Sequence, residues 1–278
     1  RHLADLVSHL PYRDEDVELE ADYVVVGSGA GGAAAAVVLS RHGAEVAIVE
    51  AGAWRDPEHY PSSTYGAMRD LLDDWGSTIA RGRALWPIVQ ARAVGGSTVI
   101  NSAICGRTPG DIFEQWERER GVGGSAMATR VWAHQDTLEA ELSVEEVPPA
   151  SRGHSNRLAM LGAQTVPYES HWIERYAKDC EGTGQCFQGC RQNRKQSTNV
   201  NYVPEVIERG GHVVSSAPVD RVVLEGRRAI GVRGRFVHPR TRIKGGRFFV
   251  KARKAVVVAA SATHTPALLL RSGVKNRV

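Results

Sequence analysis

Apolar positions along the chain follow two spacings. Within residues 21–26, Tyr23-Val24-Val25-Val26 is an unbroken apolar run, the pattern of a strand covered on both faces of a parallel sheet. Glycines follow at once. Ala33 to Leu39 then reads as a helix built from small residues that can pack close to the strand. Gly43 ends it, and Glu45 to Val49 is a second strand, which completes a βαβ unit. Residues 1–20 are polar and turn acidic toward their end; they read as a short helix and a lead-in loop. Residues 53–90 are irregular and rich in Pro, Gly, Tyr and Trp. Residues 111–145 read as helical, with Trp116 and Trp132 as buried anchors, and Asn156 to Gln164 as a further helix. Asp179 to Ser197 is a cysteine-bearing loop, and Tyr202 to Arg209 a short helix stopped by Gly210-Gly211. Val213 to Val250 reads as strands with turns at Glu225-Gly226, Pro239 and Gly245-Gly246. Lys254 to Ala260 is another parallel-type strand, and Pro266 to Arg271 starts a helix that stops at Ser272-Gly273.

Composition narrows the class. The chain has 278 residues, 42% hydrophobic and 24% charged, which excludes a mostly disordered protein. The longest apolar stretches fall far short of the ~20 residues of a membrane span. The chain opens Arg1-His2-Leu3 without a methionine, so a processed or cut start is expected. Net charge is +4, and the excess is local: residues 227–254 hold eleven Lys/Arg and no acid. Either an anionic partner or the solvated face of hairpins explains this, and the apolar residues interspersed with the charges favour the second. Phe236, Phe248 and Phe249 read as core-facing. They are too few for a base-stacking platform, so no nucleic-acid partner is expected.

Gly27-Ser28-Gly29-Ala30-Gly31-Gly32 follows the first strand and opens the first helix. Gly27 permits the tight turn, Gly29 lets the backbone approach a pyrophosphate, and Gly32 lets helix and strand pack closely. Glu50 ends the next strand, where a carboxylate accepts hydrogen bonds from ribose hydroxyls. The unit points to a dinucleotide. NAD and FAD both fit, whereas Glu50 repels the 2′-phosphate of NADP. Gly95-Gly96 again offers bare backbone where a phosphate or flavin edge can approach. Asn101 is either an amide for a flavin carbonyl or a turn residue that caps its own backbone.

Three blocks, taken together, carry a resemblance. They are Gly27–Gly32 with Glu50-Ala51-Gly52; Ala91-Arg92-Ala93-Val94-Gly95-Gly96-Ser97-Thr98-Val99-Ile100-Asn101; and Ser261-Ala262-Thr263-His264-Thr265-Pro266-Ala267-Leu268-Leu269-Leu270-Arg271-Ser272-Gly273-Val274. In this order they resemble the glucose–methanol–choline (GMC) family of FAD-dependent alcohol oxidoreductases, over residues 22 to 274. The resemblance implies an α/β, Rossmann-like FAD-binding domain with part of a helical and β substrate-side region. The implied division is 1–110 and 201–278 for the FAD-binding domain, with 111–200 as an insertion. The implied cofactor contacts are Gly27, Ser28, Gly29, Gly31, Gly32, Glu50, Ala51, Arg92, Gly95, Gly96, Ser97, Asn101, Ser102, Val219 and Ala260. His264 falls at a variable motif position and is read as structural.

Arg107-Thr108-Pro109, Cys186-Phe187-Gln188-Gly189-Cys190 and Lys195-Gln196-Ser197-Thr198 look most like the long-chain alcohol oxidase branch. The resemblance implies hydride transfer from an alcohol carbon to the flavin. It also implies that the histidine taking the hydroxyl proton lies in a C-terminal segment or second chain, so no catalytic residue is nominated here. The alternative is a non-catalytic flavin-binding subunit of a larger assembly; an NAD-linked dehydrogenase is a weaker third reading. Cys180, Cys186 and Cys190 have the C-x5-C-x3-C spacing. An iron–sulfur cluster, zinc, a disulfide and free thiols all remain open for them.

Overall fold

The computed structural model describes residues 8–167 and 169–274; the helix expected at the start of the chain lies partly in residues 1–7, outside them. The strands are β1 (His9–Leu10), β2 (Val17–Val26), β3 (Val46–Val49), β4 (Ile79–Arg81), β5 (Leu85–Pro87), β6 (Ile104–Cys105), β7 (Val144–Glu146), β8 (Glu174–Tyr176), β9 (His212–Val214), β10 (Val219–Glu225), β11 (Arg228–Val237) and β12 (Lys244–Val258). The α-helices are α1 (Ala30–Arg41), α2 (Thr64–Asp70), α3 (Gly110–Arg120), α4 (Gly124–Glu141), α5 (His154–Ala163), α6 (Tyr202–Glu208) and α7 (Ser261–Arg271). The chain forms two compact units. One takes in the described residues of Arg1–Asn101, Phe187–Gln192 and Ser197–Val278, the other those of Ser102–Cys186 and Asn193–Gln196.

The first unit is a mixed α/β layer around one sheet, in the order β1-β9-β3-β2-β12-β11-β10. From β1 to β12 neighbours run parallel; β12, β11 and β10 are antiparallel. Val258 pairs with Val26, Val26 with Val49, and Val49 with Val214. Four parallel strands therefore end level, and the turns leaving them share one edge. Gly32, Ala33 and Ala36 on the buried side of α1 carry little or no side chain, so the helix lies close over β2 and β3. The core joins Val24, Val26 and Val49 to Phe236, Phe248 and Val250, the two phenylalanines meeting edge to face with centroids 5.5 Å apart.

The sheet differs from the sequence reading in two places. The lead-in loop expected before residue 21 is already strand. Val17, Leu19 and Ala21 are buried while Glu18 and Glu20 are exposed, the alternation of a half-covered strand, and they pair with Phe248–Ala252. Gly245-Gly246 is not a turn but lies inside β12, which runs unbroken through Lys254. Those glycines admit the incoming chain: a Cβ on Gly245 would sit 2.3 Å from the Arg13 carbonyl oxygen, and one on Gly246 2.0 Å from that of Glu15. The basic stretch is the solvated face of this sheet. Lys251 pairs with Glu20 at 2.8 Å, Arg253 with Asp22 at 2.9 Å and Glu45 at 2.6 Å, and Lys254 with Asp22 at 3.1 Å.

The second unit packs α3 against α4 and adds an antiparallel sheet, β6-β8-β7. Its anchor is Phe113, 2% exposed, which meets Trp116 and Trp132 edge-on at 5.5 and 5.9 Å. Trp116, expected to be buried, is 42% exposed and forms the rim. Trp132 is half-buried because its indole N–H must reach the Thr108 carbonyl, 3.1 Å away. Phe113→Ala is expected to cost about 3–5 kcal/mol and Trp116→Ala less than half of that. Urea unfolding of the two variants measures the difference; equal losses would return the anchor role to Trp116.

Candidate functional site

The turns leaving the level strand ends enclose a cavity of about 490 Å³ within the first unit. Gly27 follows β2, Glu50 and Ala51 follow β3, Ala217 to Val219 connect β9 to β10, and Ala259 to Ser261 join β12 to α7. This is the carboxyl edge of a parallel sheet, where open α/β folds bind ligands. The size falls within the range of small-molecule and cofactor clefts.

The glycines divide by what a side chain would meet. Gly27 has φ +97°, and a Cβ there would lie 2.5 Å from the Ala259 carbonyl oxygen. At Gly32 a Cβ would lie 2.0 Å from the Gly27 carbonyl oxygen. These two serve the fold. Gly29 and Gly31 line the cavity, and a Cβ would meet only the Gly96 Cα at 3.9 Å in the first case and nothing within 4 Å in the second. The space beside them is the cavity itself. Gly29 is also the N-cap of the 12-residue α1 and makes no side-chain cap, so first-turn amides remain for a ligand.

Beneath this wall lies a buried polar knot. Ser28 is fully buried. Its hydroxyl donates to Glu50 Oε2 at 2.7 Å and accepts from the Gly95 amide at 2.9 Å, while its own amide donates to the same Oε2 at 2.9 Å. The Gly52 amide donates to Glu50 Oε1 at 2.8 Å. Burial pushes the Glu50 carboxyl up from the ordinary carboxylate range, against these hydrogen bonds. A second support comes from residues 197–199. The Thr198 hydroxyl donates to the Ser28 carbonyl at 2.8 Å, and its amide donates to Thr98 Oγ1 at 3.1 Å. Asn199 takes a hydrogen bond from Ser197 on Oδ1 (2.8 Å) and gives one to the buried Tyr60 hydroxyl (2.7 Å). A Cβ on Gly95 would lie 2.9 Å from that Oδ1, so Asn199 also packs beneath the second glycine pair.

Of the residues singled out from sequence, Gly27, Gly29, Gly31, Glu50, Ala51, Arg92, Gly96, Ser97, Asn101, Val219 and Ala260 line the cavity. Ser28, Gly32 and Gly95 stand behind the wall and shape it. Ser102 belongs to the second unit, where its carbonyl accepts from Arg175 Nε at 3.0 Å. The Arg92 Nε reaches the Ala51 carbonyl at 3.3 Å, and its Nη1 lies 3.5 Å from Asp73. His264, read as structural, is on the cavity wall, with Nε2 3.4 Å from Asp73 Oδ2. Its spacing of three from Ser261 at the start of α7 is the signal that was available, since i and i+3 share a helix face. Thr198 stood in a segment that carried the resemblance but was given no site role, and Asn199 and Asp73 carried no local signal.

Among the described residues no group of three or more His, Cys, Asp or Glu side chains is arranged to hold a metal ion. Cys180 and Cys186 belong to the second unit and Cys190 to the first. The first two thiols face the Arg175 guanidinium, at 3.6 and 2.9 Å. Neither an iron–sulfur cluster nor zinc is assigned to them.

A family model described as GMC oxidoreductase matches residues 21–278. An uncharacterized GMC-type oxidoreductase of Mycobacterium tuberculosis (strain ATCC 25618 / H37Rv) is 38% identical over 254 residues, covering 91% of this chain and 39% of its own. A long-chain-alcohol oxidase of Arabidopsis thaliana is 25% identical over 274 residues, 94% of this chain and 35% of its own. A formate oxidase variant from Aspergillus oryzae RIB40 shares the fold, with a TM-score of 0.63 at 17% identity, over 92% of this chain and 48% of that one. The chain thus spans less than half the length of each.

Two outcomes follow from the knot. Thr198→Val keeps volume but strips the hydroxyl from the Ser28 carbonyl, and is expected to cost about 1–3 kcal/mol, with Thr198→Ser close to wild type. Denaturant unfolding checks this; a neutral valine variant would remove Thr198 from the support. The raised Glu50 value means that the folded state favours the protonated acid. Its stabilising contribution is full below the ordinary value of 4.5 and is lost as pH rises through the higher folded value. The stability of wild type minus that of Glu50→Gln should therefore fall with rising pH above 4.5 in ligand-free protein. A difference that rises with pH would show the hydrogen bonds outweighing burial.

Proposed function

The chain belongs to the GMC oxidoreductase family, and we propose that it is the FAD-binding portion of an enzyme that oxidises the CH–OH group of an alcohol. The observation that carries the cofactor assignment is the pair of cavity-facing glycines at the uncapped start of α1, with Glu50 at the end of the adjacent β3. A pyrophosphate suits the first, through amide donors and the positive end of the helix. Ribose hydroxyls suit the second. Pro218 and Val219 supply an apolar wall for an adenine, and Gly96, Ser97 and Asn101 supply the small and polar surface for a flavin ring.

FAD, when bound, supplies the hydride acceptor. The protein's own residues hold and orient it. The Ser28 hydroxyl fixes the Glu50 carboxylate and the Gly95 amide at once. Thr198 and Asn199 keep the two glycine segments at backbone contact, where a Cβ on Gly96 would lie 2.8 Å from the Gly29 Cα. The alcohol assignment is supported by the family and by the long-chain-alcohol oxidase relative. The acceptor of the hydroxyl proton is assigned, in this reading, to a histidine of a C-terminal segment or a second chain. That group and a substrate wall are worth several orders of magnitude in rate.

Gly29→Val separates binding from folding, because its Cβ has room in the fold and projects into the space a pyrophosphate needs. The expected outcome is loss of visible flavin absorbance from purified protein, with an unfolding midpoint equal to that of flavin-free wild type. Wild-type-like flavin loading would sink the cofactor assignment. For the natural protein, anaerobic bleaching of that absorbance by a panel of primary and secondary alcohols tests the substrate class, and no response to any of them would remove it.

A further inference from the structure

Two guanidiniums line the cavity, and they differ in what they meet. Arg92 is engaged on both sides, with Nε on the Ala51 carbonyl and Nη1 3.5 Å from Asp73. Arg271 has no carboxylate within ion-pair distance among the described residues. Its hydrogen bond there runs from Nε to the Asp220 carbonyl, at 3.4 Å, and both Nη groups are left over.

The helix α7 decides where that charge stands. It begins beside the glycine turn, because Ala259, two residues before it, lies against Gly27 and Gly32. From there it runs to β10 and packs on it. Ser261, His264, Leu268 and Arg271 all line the cavity, and their spacing of three, four and three keeps them on one helix face. At a rise of 1.5 Å per residue, Arg271 stands about 15 Å along the axis from Ser261. The far end is fixed by the next side chain. The Ser272 hydroxyl accepts from the Val222 amide at 2.9 Å and donates to the Leu268 carbonyl at 2.7 Å. The outer edge of β10 is thus bound to the last turn of α7 at Asp220 and at Val222. The guanidinium is held next to Val219, at the end of the cavity remote from the glycine turn.

The wall at that end is otherwise apolar: Ala217, Pro218, Val219 and the buried Leu268. A phosphate suits the other end, where the amides of α1 and its positive pole are. A flat heteroaromatic ring suits this one. Its faces match the apolar wall, and a planar guanidinium packs on such faces and donates to ring nitrogens.

We propose that Arg271 is the residue that recognises adenine in the dinucleotide site, its guanidinium packing against the purine that Pro218 and Val219 seat. The inference rests on the FAD reading above and adds the group that selects the base. The glycine turn and Glu50 cannot make that selection, because they act on pyrophosphate and ribose, which every nucleoside diphosphate carries.

The test titrates flavin-free intact protein in a calorimeter with FAD, with ADP and with ribose 5-pyrophosphate, which is ADP without its adenine. Wild type should bind ADP more tightly than ribose 5-pyrophosphate. Arg271→Met keeps the stem and loses the guanidinium; it should weaken FAD and ADP by roughly tenfold and leave ribose 5-pyrophosphate unchanged. Arg271→Lys should recover only part of the ADP affinity, since it restores the charge without the flat face. The side chain is exposed, so the ligand-free unfolding midpoint should stay at the wild-type value in both variants. An equal loss for ADP and ribose 5-pyrophosphate, restored by lysine, would make Arg271 a remote charge for the pyrophosphate and overturn the proposal. An equal loss with a lowered midpoint would make it a structural residue and overturn it as well, as would unchanged ADP affinity in Arg271→Met. Any of these results with FAD still bound by wild type removes Arg271 alone, whereas wild type that binds neither FAD nor ADP removes the FAD reading with it.

Discussion

The candidate site depends on one buried hydroxyl. Ser28 sits where the first strand hands over to the first helix, and its oxygen is shared between Glu50 and the Gly95 amide. Three segments distant in sequence are thereby locked at one point in the cavity wall. A buried carboxylate is costly unless its lone pairs are occupied, and Glu50 has three donors on its two oxygens. The network is thus the condition under which Glu50 can be kept at the end of β3 at all.

The same economy explains the distribution of glycines. Where backbones cross, at Gly27, Gly32 and Gly96, a methyl group would collide with main chain. Where the cavity lies, at Gly29 and Gly31, it would collide with nothing in the protein. One short motif therefore contains two kinds of glycine with opposite tolerances. A substitution at the first kind acts on folding, and one at the second acts on what the cavity can hold.

The βαβ unit was legible in the sequence because every contact that defines it is local: an apolar run, a glycine turn, a small-residue helix and a second run. The edge of the sheet was legible for a similar reason, since apolar strands followed by small residues mark where parallel strands end. The supports were not. Thr198 reaches Ser28 across 170 positions and Thr98 across 100, and nothing in the residues around it marks a buried hydroxyl. Gly245-Gly246 misled because a glycine pair usually marks a turn. Here its purpose is clearance for residues 13–15, which periodicity cannot reveal. The cysteine spacing left a metal, a disulfide and free thiols open, and nothing in the residues around it announced Arg175, which reaches two of the thiols from β8.

The length of β12 bears on how the chain reaches this structure. Its first part completes a meander with β10 and β11, whose partners are near neighbours in sequence. Its remaining edge must find β2, and Glu20 meets Lys251 across 231 positions. The meander can assemble from local contacts, whereas the β2 pairing must close this long loop before any hydrogen bond rewards it. During synthesis β2 and its apolar run emerge long before β12 exists. Until then Tyr23–Val26 has β3 as a partner on one side and an open ladder on the other. That open edge is exposed to mispairing until β12 arrives to cover it.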